Sequence, residues 1–192
     1  MINGGAGNDS MSGGAGDDTY VVDSTSDVVT ESSGGGTDLI QSSVTYTLGS
    51  YVDNLTLTGT GNISGTGNND NNFITGNTGQ NTLTGNDGND TLDAKGVGAG
   101  SPNGIGDTLI GGLGDDLYRV YGGETVTEGS GAGSGTDTIL TSASWTLGSN
   151  FENLTLTGAL GSNLSGTGNS VANVIIGDGN DNALDGDVAT TL

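Results

Sequence analysis

The sequence predicts an all-β fold, a parallel β-roll or β-helix solenoid, and three observations predict it. Gly76 to Asp93 divides into two consecutive nine-residue units, each with Gly at its first and fourth positions, Asn or Asp at the sixth and Leu at the eighth. The chain has 40 glycines in 192 residues and only 30% hydrophobic residues, enough to fill a thin column but not a thick globular core. Gly, Asn, Asp, Thr and Ser dominate over helix formers, so essentially no α-helix is expected.

Charge and missing residue types narrow the chemistry. The formal net charge is −21, with 23 acidic residues against Lys95 and Arg119. Nucleic acid is excluded as a partner, because neutralising phosphate needs a basic surface. An anionic membrane is disfavoured in the same way. No apolar run approaches a membrane span, so no membrane insertion is expected. Without Cys or His there is no disulfide, thiolate or imidazole site, and no Ser-His-Asp or Cys-His catalytic set. An acidic chain poor in hydrophobics tends to disorder unless cations relieve its self-repulsion. The repeat decides for cations, since acidic disorder keeps no register.

Residues 4–12 and 13–21 are complete units, with Asp9 and Asp18 at position six and Met11 and Tyr20 at position eight. The register continues weakly to Asp27 and Val29. The array opens abruptly at Gly4, which reads as a fragment boundary, and Met1-Ile2-Asn3-Gly4 has no signal-peptide character. Residues 22–66 lose the nonapeptide but keep short β-type runs at Val21-Val22, Val28-Val29, Leu39-Ile40, Val44 to Leu48 and Asn54 to Thr58. In the last run Leu55 and Leu57 share one face and Thr56 and Thr58 the other. Register returns over 67–93, where Ile74, Leu83 and Leu92 lie nine apart, as do Asn72, Asn81 and Asp90. Residues 94–106 break it, hold the one proline and read as a surface loop insertion.

The pattern then restarts. Asp107-Thr108-Leu109-Ile110 ends a unit, and residues 111–119 match 13–21. TYTLGSYVDNLTLTG (45–59) aligns with SWTLGSNFENLTLTG (144–158) at 10 of 15 positions. The chain is therefore a tandem duplication: residues 1–93, the 94–106 insertion, and residues 107–192, the second half expected to stack on the first. Val188 to Leu192 follows an unfinished unit and carries no recognisable export signal.

The unit suits calcium. Its glycines allow a tight turn whose carbonyls lack strand partners, and the position-six carboxylate points back into that turn. Calcium takes six to eight oxygens at about 2.3–2.6 Å. One turn cannot supply them, whereas two stacked turns can.

These units resemble the RTX family, the hemolysin-type calcium-binding repeats of proteins exported by type I secretion, most closely at 4–12, 13–21, 85–93 and 111–119. The resemblance implies a right-handed roll with two units per coil and several calcium ions between neighbouring turns. It implies Asp9, Asp18, Asp90 and Asp116 as carboxylate ligands, with Asp27 and Asp107 secondary. It implies carbonyls from Gly4, Ala6, Gly13, Ala15, Gly85, Asp87, Gly111 and Leu113. Position six is Asn at Asn72, Asn81, Asn173 and Asn182. There the amide is expected to hydrogen-bond the turn in place of metal, leaving coils near 54–80 and 154–185 metal-poor.

The expected function is calcium binding that drives folding of a secreted, non-enzymatic module, extracellular or at the cell surface. Two alternatives stand beside it. One is a structural protein that self-associates end to end through open strand edges. The other is the non-catalytic part of a secreted enzyme. Asp53 and Glu152 precede equivalent Asn-Leu-Thr segments, and their equivalence argues against a catalytic pair.

Overall fold

The computed structural model describes residues 1–95 and 106–186, and these contain strands and turns but no helix. Most of the 94–106 insertion and the Val188 to Leu192 tail lie outside the described residues.

Strands alternate between two faces of one solenoid. The front face is a ten-stranded parallel sheet: Ile2–Asn3, Thr19–Val22, Leu39–Ser42, Asn54–Leu57, Phe73–Thr75, Thr91–Asp93, Leu117–Val120, Thr138–Thr141, Asn153–Leu156 and Val174–Ile176. The back face is made of three shorter parallel sheets. Ser10–Met11 pairs with Val28–Val29. Tyr46–Thr47, Ser64–Thr66, Thr82–Asp87, Thr108–Leu113 and Thr125–Thr127 form a five-stranded sheet. Trp145–Thr146, Ser165–Thr167 and Ala183–Asp185 form the third. The chain is thus a parallel β-roll, each coil contributing one strand to each face.

Nonapeptide spacing explains the coil. Ile2 pairs with Tyr20 and Ile74 with Leu92, so one coil there consumes 18 residues, two units. Position eight points inward from the first unit through residue 118: Met11, Tyr20, Ile74, Leu83, Leu92, Leu109 and Tyr118 are all buried, whereas Leu184 in the last described unit is exposed. Where the nonapeptide is lost, the inward register survives. Tyr20 pairs with Ile40 and Ile40 with Leu55, and each is fully buried. Leu83 pairs with Leu109 and Leu92 with Tyr118 across the insertion, so both sheets run on past it.

The core is one apolar file per face. Gly65 and Gly166 occupy inward back-face positions where a Cβ would press on Leu55 and Ile74, or on Leu154 and Ile175. The roll is therefore narrowest there, and glycine is what fits. Most strands have two to four residues, but Thr82–Asp87 and Thr108–Leu113 have six. Two successive turns of the same design, Gly85 to Asp87 and Gly111 to Leu113, extend the parallel pairing into the turn.

Candidate metal centre

The glycine turns stack in two columns, one at each edge of the roll. In the column leading from back to front, position six is Asp18, Asp38, Asp53, Asn72, Asp90, Asp116, Asp137, Glu152 and Asn173 in successive coils, each followed by a front strand. In the opposite column it includes Asp9, Asp27, Asn81 and Asp107, each followed by a back strand.

Beyond the first acid of each column, Asp9 and Asp18, acidic side chains at this position reach back one coil. Asp90 N–H donates to Asp116 Oδ1 (2.7 Å), Asp116 N–H to Asp137 Oδ1 (2.9 Å) and Asp137 N–H to Glu152 Oε2 (2.9 Å). Asp18 N–H donates to Asp38 Oδ1 (2.9 Å) and Asp38 N–H to Asp53 Oδ2 (2.7 Å). Across the roll, Asp9 N–H donates to Asp27 Oδ1 and Asn81 N–H to Asp107 Oδ1. Position five builds a second ladder in the opposite sense. Asn89 N–H donates to Asn71 Oδ1, Asp115 N–H to Asn89 Oδ1 and Thr136 N–H to Asp115 Oδ1. Two opposed ladders explain why polar pairs such as Asn89-Asp90 and Asp115-Asp116 recur together.

The ladder uses one carboxylate oxygen and leaves the other. Asp9, Asp38, Asp90, Asp116 and Asp137 each keep a buried Oδ2 without a hydrogen-bond partner. Those of Asp9, Asp90 and Asp116 point into glycine turns, since a Cβ added at Gly4, Gly85 or Gly111 would strike the Asp side chain of its own turn, as one at Gly13 would strike Asp18. Eight carboxylates are buried among the described residues: Asp27, Glu31, Asp38, Asp90, Asp107, Asp116, Glu128 and Asp137. The two basic residues, Lys95 and Arg119, are exposed. Burying unpaired carboxylates is costly, and burial pushes Asp90 and Asp107 up to about 6, Asp116 and Asp137 to about 7 and Glu128 to about 8. Asp27 differs. The N–H groups of Asp9, Ser24 and Asp23 hold it below the usual carboxylate range.

Orphaned anionic oxygens beside turn carbonyls form a hard-donor set of the kind calcium takes. The expected carboxylates Asp18, Asp90 and Asp116 fall in one column with Gly13, Gly85 and Gly111 at their turn entrances. Asp9 and Gly4 lie in the other, with Asp27 and Asp107 further along it. Ala6, Ala15, Asp87 and Leu113 sit exposed at the turn tips. The Leu113 carbonyl already accepts the Gly88 N–H at 2.8 Å.

The turns at Asn72, Asn81 and Asn173 have no orphaned oxygen, whereas the Asn182 turn, where Asp178 replaces the upstream Asn and accepts the Asn182 Nδ2, keeps Asp178 Oδ2 buried without a partner. Asn72 Oδ1 accepts Asn68 N–H, and its Nδ2 donates to Val52 O and Asp53 O. Asn68 Nδ2 donates to Gly49 O and Val52 O of the preceding coil. Asn77 and Asn81 do the same with Thr58 O, Gly61 O and Ile63 O. Asn169 and Asn173 do so with Gly148 O, Phe151 O and Glu152 O. An amide NH2 thus gathers the carbonyls of the turn below. This is the amide substitution expected at Asn72, Asn81 and Asn173, with a further Asn four residues upstream completing it.

Reading the nonapeptide alone missed Glu31, Asp38, Glu128 and Asp137. A readable signal was present: an acid two residues before each inward apolar residue, as in Asp38-Leu39-Ile40 and Asp137-Thr138-Ile139, just as in Asp18-Thr19-Tyr20. Tyr20 and Tyr118 are fully buried, and Tyr118 makes an edge-to-face contact with Phe151 at 5.5 Å.

Comparison with known proteins agrees with this geometry. The RTX calcium-binding nonapeptide repeat family (four copies) matches residues 1–29, 66–96 and 105–124. An endo-1,3-1,4-beta-glycanase, EglC, of Rhizobium meliloti (strain 1021) is 51% identical over 71 residues, 36% of this chain and 14% of the relative. A second endo-1,3-1,4-beta-glycanase of that organism, ExsH, is 47% identical over 70 residues, again 36% of this chain and 14% of the relative. The chain thus spans a small part of the curated relatives it matches. No solved structure matches it.

Proposed function

From the premise that this chain carries RTX calcium-binding nonapeptide repeats, we propose that it is a calcium-folded, non-catalytic module of an exported protein that acts outside the cell. The observation that carries the reading is the stack of position-six carboxylates, five of which (Asp9, Asp38, Asp90, Asp116 and Asp137) keep a buried oxygen without a hydrogen-bond partner, with no basic side chain buried beside them. Asp9, Asp18, Asp90 and Asp116 are the principal ligands, with Asp27, Asp107, Asp38 and Asp137 extending the columns. Carbonyls of Gly4, Gly13, Gly85 and Gly111, and of Ala6, Ala15, Asp87 and Leu113 at the tips, complete the donor set. Bound calcium supplies the positive charge that lets these carboxylates stack, so binding free energy becomes folding free energy. Where calcium is scarce, the carboxylates repel and the thin apolar file does not offset chain entropy. Such a chain stays extended through a type I export channel and folds outside.

Similarity to two glycanases over about a third of this chain and 14% of each relative supports a module attached to a glycan-acting enzyme. Circular dichroism in chelator and in millimolar calcium tests the folding claim. Most of the β signal is expected to require calcium, and a full β signal in chelator would overturn it. Light scattering separates the module from a self-assembling subunit: compaction fits the module, and growth on calcium addition fits end-to-end assembly.

A further inference from the structure

One place in each half departs from the glycine turn. The back-strand register pairs Thr108 with Thr125 and Ile110 with Thr127, so Glu128 stands where Gly111 stands one coil earlier. In the first half Met11 pairs with Val29, so Glu31 stands where Gly13 stands. At both places the turn opens with an acid instead of glycine. Glu31 and Glu128 are each 8% exposed and so turn inward.

What they meet there differs from an ordinary turn. Beside Gly85 lie Asp90 Oδ2 and, from the next coil, the neutral Gly111 carbonyl. Beside Gly111 lie Asp116 Oδ2, Tyr118 OH and, from the next coil, Glu128 Oε1. Carboxylate oxygens of Asp116, Glu128 and Asp137 all lie within 4.8 Å of one another, and so do those of Asp18, Glu31 and Asp38. Glu128 is oriented by the Gly129 N–H, which donates to its Oε2 at 3.0 Å and leaves Oε1 facing inward.

A second observation points to a ligand. Tyr118 is fully buried, and its hydroxyl, aimed into this cluster, has no hydrogen-bond partner; neither do Asp116 Oδ2, Glu128 Oε1 or Asp137 Oδ2. Four converging oxygens, three of them on carboxylates, make no hydrogen bond to one another or to any other group, and no basic side chain is buried among the described residues. In the first copy Tyr20 OH instead donates to Glu31 Oε1, while Glu31 Oε2 and Asp38 Oδ2 stay unpartnered.

We propose that Glu128 with Asp116, Asp137 and Tyr118, and its duplicate Glu31 with Asp18, Asp38 and Tyr20, form a second type of cation site that binds through three carboxylates and a phenol oxygen at the margin of the core. The proposal rests on the calcium reading for the identity of the resident ion. It assigns this pair of sites the tightest binding in the chain. Ligand charge count raises affinity in hard-cation sites, and three carboxylates exceed what an Asp-and-carbonyl turn offers. A trivalent lanthanide, whose charge matches all three carboxylates, fits best and serves as the probe.

Terbium luminescence excited through tyrosine tests this on the whole chain. A tyrosine oxygen at the ion gives sensitised emission, expected to saturate at about two ions per chain, matching the two clusters and the hard-oxygen preference of such ions. Glu128→Gln should remove about half of that emission, as one of two charge-rich sites loses a carboxylate, and Glu31→Gln/Glu128→Gln nearly all of it. Calorimetry should show the tight class lost in the double variant and kept in Asp181→Asn, which removes an exposed acid outside both clusters. Unchanged emission and unchanged tight stoichiometry in the double variant would overturn the proposal. Should that variant fail to fold, Tyr20→Phe/Tyr118→Phe keeps every carboxylate and both rings; emission that persists there would overturn the phenol's role at the ion. Wild-type emission lost in Glu128→Gln, without any calcium-dependent β signal, would leave the site standing and remove the folding reading.

Discussion

At the residue scale, the duplication supplies its own controls. Tyr51 and Asn150 occupy the same place in the two halves and share the left-handed conformation, with φ of 67° and 68°. Asn tolerates that region, whereas a bulky aromatic residue is strained there by roughly 1–2 kcal/mol. Tyr51 is also half exposed, so it returns little burial for that strain. Tyr51→Asn is therefore expected to raise the calcium-loaded melting temperature, worth about 1 kcal/mol, and a lower melting temperature would show that the Tyr51 ring is held by contacts that matter more. The Asn turns allow the converse exchange. Asn72 donates through Nδ2 to Val52 O and Asp53 O, and Asp at that position donates nothing. Asn72→Asp should destabilise the roll in chelator by about 1–3 kcal/mol for the unpaired carbonyls and add an ion to the calcium count. A denaturation midpoint in chelator that does not move would argue that the amide pins are incidental.

The element is a turn plus the strand that follows it, and this is where pH acts. Asp116, Asp137 and Glu128 are raised by burial to about 7, 7 and 8. An acid raised in the folded state binds protons more tightly folded than unfolded, so in chelator the roll gains stability as pH falls from about 8 toward the ordinary carboxylate range near 4. The stability is lost again as pH rises through 7 to 8. With calcium the sign reverses, because ions and protons compete for the same oxygens. The β signal in chelator should grow between pH 8 and pH 5, while the calcium needed for half-folding should rise over the same fall in pH. A chelated chain equally unfolded at both pH values would remove the buried-carboxylate account. At this scale the sequence was partly legible. The repeat placed Met11, Tyr20, Leu83 and Leu92 at one equivalent position, and all four are buried in the core. Glycine spacing named the turns at 4–9, 13–18, 85–90 and 111–116. It was silent at Asp38 and Asp137, because turns there lengthen and lose their glycine register while the strand register behind them persists. Glu31 and Glu128 were invisible for a different reason. Their meaning comes from standing across from Gly13 and Gly111 in the neighbouring coil, a relation that only coil stacking creates.

On the scale of the whole molecule, the back-to-front column alternates between two ways of holding coils together. Carboxylates run from Asp18 to Asp53, an amide stands at Asn72, carboxylates resume from Asp90 to Glu152, and an amide follows at Asn173. Stacked coils contact mainly their neighbours, so stability is close to a sum over coils and interfaces. Chelation then removes the holding interaction from two blocks and leaves the amide-pinned coils with their hydrogen bonds: Asn68 and Asn72 to the coil below, Asn77 and Asn81 likewise, and Asn169 and Asn173 in the second half. Leu55, Leu57, Ile74 and Leu83 back the first of these regions with fully buried side chains. Unfolding on calcium withdrawal should therefore be stepwise. Native-state hydrogen exchange at decreasing free calcium should show amides of Leu117–Val120 and Thr19–Val22 losing protection first, and amides of Asn54–Leu57 and Phe73–Thr75 last. Protection that collapses together at every coil would mean that coupling between coils exceeds the difference between an ion-held and an amide-held turn, and the roll would then be one cooperative unit despite its two kinds of turn.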